Sequence, residues 1–114
     1  MFDLTSVNRR YWEIKLKIVT DLIVDGVVTK AEKETVLEIE PPTKKMLNKI
    51  VKLRSGKEED TMDDLYEAVS MILNKNKTGK KVSDETIEKF NYDEINGIIT
   101  KYFEWLGETQ NSPN

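Results

Sequence analysis

From Tyr11 to Val19 apolar and polar residues alternate, placing Trp12, Ile14, Leu16 and Ile18 on one face and Glu13, Lys15 and Lys17 on the other. Successive strand side chains point to opposite faces, so this spacing predicts a half-buried strand. Val36 to Glu40 repeats the pattern with Leu37 and Ile39 inward, which would set Glu38 and Glu40 opposite Lys15 or Lys17 in an antiparallel pair. Between these strands, Leu22 to Val28 carries Asp25-Gly26 among β-branched residues, a tight-hairpin signal; a third strand and a mobile apolar loop tip both fit the segment. Thr29 to Glu34 is charged and lacks an apolar face, so it reads as a solvated loop.

Pro41-Pro42 stops the sheet, because proline has no N–H for the ladder and restricts the residue before it. The period then changes to that of a helix. Met46, Leu47, Ile50, Val51 and Leu53 form an apolar stripe against Lys44, Lys45, Asn48, Lys49 and Lys52, with Arg54 and Lys57 near the C-terminal end and Gly56 as terminator. Glu58, Glu59, Asp60, Asp63 and Asp64 crowd the start of a second helix, where Thr61 and Asp64 approximate a capping box and Leu65, Ala68, Val69, Ile72 and Leu73 face the core. A polar break, Asn74 to Lys81, follows. Ser83 is the expected N-cap of a short third helix, with Val82 and Ile87 at staple spacing. Asn91 and Glu94 form a variant capping box for a fourth, whose stripe is Ile95, Ile98, Ile99, Tyr102, Phe103 and Leu106. Asn96-Gly97 favours a turn, but its flanks have helical periodicity. Gly107 is the expected helix end.

These elements predict an α+β fold: a small N-terminal antiparallel β-sheet followed by a C-terminal bundle of three to four helices. A single domain covers 1–107, with an N-terminal arm at 1–9, the sheet region at 10–40 and the helical region at 42–107. The polar stretch 108–114 is expected to be a disordered tail.

Composition narrows the chemistry. The 114 residues include no cysteine and no histidine. Disulfides, thiolate nucleophiles and the commonest general base and metal ligand are therefore missing. No catalytic, cofactor-binding or metal-ligating residue stands out, so the expectation is a protein that is not an enzyme and needs no cofactor. Asn91 to Tyr102 fails as a calcium loop: its glycine is seventh rather than sixth, its fifth position is Ile95 and its twelfth is Tyr102. The net charge of −3 makes the whole molecule no magnet for nucleic acid or membrane. No apolar run is long enough to span a bilayer and the N-terminus does not resemble a signal peptide, which points to a soluble intracellular protein.

Function is then a question of surfaces. Lys44, Lys45, Lys49 and Lys52 could grip phosphates, or form an ordinary solvated helix face. Lys75, Lys77, Lys80 and Lys81 lack interleaved aromatics and suit a soluble loop. Tyr102 and Trp105 are candidates for partner binding, with core packing the default and Trp105 the stronger exception. Leu22, Ile23, Val24, Val27 and Val28 form either an edge hairpin packed on the sheet or a mobile sticky loop.

Tyr11-Trp12-Glu13-Ile14-Lys15-Leu16, the junction Leu37 to Leu47, the stretch Ala68 to Val82 and the run Ile98 to Leu106 together resemble the tail assembly chaperones of long-tailed bacteriophages and prophages of Gram-positive bacteria. The likeness spans most of Arg10 to Leu106, and its motifs are structural signatures rather than catalytic ones. It implies an assembly factor in the host bacterial cytoplasm, absent from the mature virion, that binds and solubilises the tape measure protein. It also implies recruitment of the tail tube protein, often through a frameshifted longer product, and copies of the chaperone lining one client. The alternative is a nucleic-acid-binding phage accessory protein that uses the basic first helix.

Overall fold

The computed structural model of the chain describes residues 1, 3, 10–55 and 61–111, with backbone alone at 61 and 109–111. Its first half is one long antiparallel hairpin. Strands β1 (Trp12–Val24) and β2 (Val27–Ile39) have thirteen residues each and pair in unbroken register from Trp12↔Ile39 to Val24↔Val27. Asp25 and Gly26 close it with φ of 51° and 77°. Positive φ at both central positions is what a two-residue type I′ turn needs, and its twist matches that of the strands. At about 3.3 Å per residue each arm reaches roughly 43 Å.

Two expectations about this region are corrected. Thr29 to Glu34 is strand, not loop. Its charges are held across the ribbon: Lys30 pairs with Asp21, and Lys15 with Glu34. Little core lies beneath it, so an apolar period never appears. Glu38 faces Glu13 rather than a lysine, and Lys15 faces Val36; Lys77 approaches Glu38 instead, at 3.9 Å. Glu40 lies beyond β2.

Only the base of the hairpin joins the core. Leu16, Ile18, Leu37 and Ile39 pack with residues of the helices α1 (Lys44–Arg54), α2 (Thr61–Asn74), α3 (Asp84–Glu88) and α4 (Tyr92–Asn111). Helix α2 is central: Leu65, Ala68, Val69, Ile72 and Leu73 are all buried. The architecture is thus α+β, with a two-stranded antiparallel sheet before four helices among the described residues.

Helix starts follow local chemistry. Thr43 caps α1 by accepting from the Met46 N–H, and Ser83 caps α3 by accepting from that of Thr86. Asn91 and Glu94 bond reciprocally: the Glu94 N–H donates to Asn91 Oδ1 at 2.8 Å and the Asn91 N–H to Glu94 Oε1 at 2.9 Å. Only Ile50 of the α1 stripe is fully buried, and Val51 is exposed. Helix α1 lies mainly along α2, with Arg54 at its end over the Phe103 ring of α4, so its apolar arc is narrow. Gly56, Lys57, Glu58, Glu59, Asp60 and the Thr61 side chain, on which the terminator, acid-cluster and capping-box expectations rest, lie outside the described residues.

The expected helix end at Gly107 is also corrected, since α4 continues to Asn111. A glycine terminates a helix by turning left-handed, and Gly107 does not have positive φ. The supposed tail is therefore helical over 108–111, while 112–114 lie outside the described residues.

Candidate functional site

The polar break does more than connect helices. Asn76, buried, donates from Nδ2 to the carbonyls of Leu73 and Lys80, while its Oδ1 accepts from the Lys80 N–H and the Thr78 hydroxyl. Asn74 accepts from the Val82 N–H at 2.7 Å. The loop so fixed lies along the outer edge of β2, where the Glu40 N–H donates to the Lys75 carbonyl and the Lys77 N–H to that of Glu38. On the opposite edge, the Val19 N–H donates to Thr86 Oγ1. Both edges of the hairpin base are thereby gripped. The sequence marks Val82, Ser83 and Ile87 as helix-start residues and the four lysines as a soluble loop; the asparagines and Thr86 carry no periodic signal.

Among the described residues two ion pairs form the last ties along the ribbon. Glu32 meets Lys89 at 2.9 Å, and Lys30 reaches Glu85 at 3.4 Å as well as its cross-strand partner Asp21. The hydrogen bond to Asp21 raises the Lys30 pKa above its ordinary value, with Glu85 adding to the effect; the bond to Lys89 lowers that of Glu32. Past these ties the tip projects. Leu22 is 49% exposed, Val24 52%, Val28 59%, Val27 60% and Ile23 70%. Leu22, Val24 and Val27 share one face of the ribbon, and Ile23 with Val28 the other. The segment is thus a defined hairpin tip, apolar on both sides, neither packed on the body nor an irregular loop.

The aromatic candidates lie elsewhere. Tyr102 is fully buried and Trp105 is 8% exposed, so both take the default core packing, and their candidacy for a partner-binding surface is corrected. Trp12, on the first strand, covers them: its ring stacks on Trp105 at 6.5 Å and 25°, and tilts against Tyr102 at 6.0 Å. Arg10 closes the outside, with its guanidinium 4.3 Å from the Trp105 ring centroid and Nη1 donating to the Trp105 carbonyl. Helical period places Trp105 at the stripe's margin; only the folding back of β1 supplies a lid.

The basic candidates Lys44, Lys45, Lys49 and Lys52 are all exposed on α1. Three of them, Lys45, Lys49 and Lys52, rim a groove of about 740 Å³ whose floor includes Met46 and Leu53 of α1 and Met71 of α2. Sequence assigned Met46 and Leu53 to the helix stripe but did not foresee the groove, because Met71 comes from a different helix. The tip and this groove are on separate elements and do not converge. Among the described residues no group of acidic side chains is placed to hold a metal ion, and no helix is long and apolar enough to cross a membrane. In comparisons with known proteins no family model matches this chain, nor does any curated protein or solved structure.

Proposed function

We propose that this chain is a phage tail assembly chaperone, which binds and solubilises the tape measure protein in the host cytoplasm and helps recruit tail tube subunits. The observation that supports this reading best is the hairpin tip. Five branched aliphatic side chains stand in water on a ribbon whose base is fixed to a helical body. Exposed apolar surface of this kind suits contact with another protein, and both faces of the ribbon are available for it. A chaperone of a long helical client requires no reaction centre. It needs a modest apolar contact repeated along the client, and multivalency converts many weak contacts into firm binding.

The test is co-expression with the cognate tape measure protein, comparing wild type with the exposed-site variants Ile23→Asp and Val28→Asp. Both should melt within about 0.5 kcal/mol of wild type, as surface substitutions do, and leave the client in the insoluble fraction. A client that stays fully soluble with both variants would rule out the tip as the binding surface. A client that is insoluble even with wild type would remove the chaperone reading itself.

A further inference from the structure

Helix α1 carries Lys44, Lys45, Lys49, Lys52 and Arg54 and no acid, within a protein whose net charge is −3. Lys45, Lys49 and Lys52 fall at i, i+4 and i+7, so they line one side of the helix, and all three rim the groove floored by Met46, Leu53 and Met71. Glu67 of α2 approaches Lys49 at 3.5 Å. Among the described residues Lys45 and Lys52 make no ion pair. The groove therefore joins an apolar floor to a rim on which two of three lysines, Lys45 and Lys52, have no acidic partner among the described residues.

We propose that this groove is a second docking site, independent of the hairpin tip, and that it takes an amphipathic helix whose apolar stripe is flanked by glutamate or aspartate. The floor selects the stripe. Methionine side chains are flexible and polarizable and adapt to varied leucine or phenylalanine knobs. The rim selects the flanks, since carboxylates beside the stripe meet Lys45 and Lys52, while lysines there meet like charge. Eleven residues of α1 span about 16 Å, enough to seat roughly three turns of a partner helix. Nucleic acid fits less well, because no aromatic ring lines the groove for base stacking and a phosphate backbone gains nothing from a thioether floor.

The probe is a fluorescein-labelled synthetic peptide with leucines at helical spacing and glutamates on the flanking positions, followed by anisotropy. A matched peptide with lysine flanks and a random-sequence DNA duplex serve as comparisons. The glutamate peptide should bind, more weakly as salt rises from about 0.05 to about 0.5 M, and the lysine peptide should not. Lys45→Glu with Lys52→Glu should weaken the glutamate peptide by about tenfold or more, the scale of two lost charge contacts. Ile23→Asp should leave it unchanged, which separates this site from the tip. With methyl-labelled methionine, Met46 and Met71 should shift on titration while Met1 and Met62 stay in place. Absence of binding would overturn the proposal, as would equal binding of the lysine peptide or a peptide response at Met62 alone. DNA binding tighter than that of the glutamate peptide, lost in the double variant, would assign the rim to nucleic acid instead. Concentration-dependent shifts of Met46 and Met71 without peptide would assign the groove to a second copy of the chain.

Discussion

Thr86 Oγ1 of α3 accepts the backbone N–H of Val19 on β1 at 3.0 Å, joining residues 67 apart in sequence. Both residues are buried. An edge strand that enters a core needs a partner for each lateral N–H, and a single hydroxyl supplies it here. Thr86→Val keeps the shape but strands that donor, so it should cost about 1–3 kcal/mol. Thr86→Ser keeps the acceptor and should lose about 1 kcal/mol or less for the missing methyl group. Thermal melts of the pair check the ranking; equal losses would show that the hydrogen bond contributes little.

Asn76 satisfies four partners from one buried side chain. Asn76→Ala should therefore destabilise by roughly 2–4 kcal/mol, since buried groups lose partners together. Amide exchange should accelerate first at Lys77 and Glu40, whose N–H groups join the loop to β2. A uniform change across the protein would show that the loop does not open separately.

Gly97 and Gly107 both lie inside α4 without positive φ, and an added Cβ would meet nothing within 4 Å at either. Alanine should raise stability by about 0.5–1 kcal/mol at each position, through helix propensity and a less free unfolded chain. Urea titration of Gly107→Ala tests the helix end directly. A left-handed terminator there would make the same substitution destabilising.

The Tyr102 hydroxyl is buried with no hydrogen-bond partner among the described residues, and burial pushes its pKa well above the ordinary tyrosine value. Tyr102→Phe should therefore be neutral or stabilising at neutral pH, whereas Trp105→Ala should cost about 3–5 kcal/mol by emptying the site under Trp12. The alkaline behaviour follows in sign. Above about pH 10 the unfolded chain releases the Tyr102 proton while the folded chain retains it, so this group's contribution to stability falls as pH rises. Wild type should lose stability above pH 10 faster than Tyr102→Phe, as read by melts at stepped pH.

Local sequence was enough wherever physics acts between near neighbours. The hairpin turn follows from Asp25-Gly26, the caps from Ser83 and the Asn91–Glu94 pair, and the core face of α2 from its own period. Each of these is a backbone preference or a hydrogen bond spanning a few residues. The α+β order of strands before helices was legible for the same reason.

Tertiary structure decided what depends on distant partners. Thr29 to Glu34 has no strand period because it overhangs the body, and only pairing with β1 extends it. Val51 sits in a correct helical stripe yet stays exposed, since α1 packs mainly on α2 and the stripe is wider than that contact. Trp105 and Leu22 are equally apolar on paper; Trp12 and Arg10 fold over one, and nothing among the described residues covers the other. Period states which face is apolar, but burial of that face depends on whether another element reaches it, and this is a property of the assembled chain.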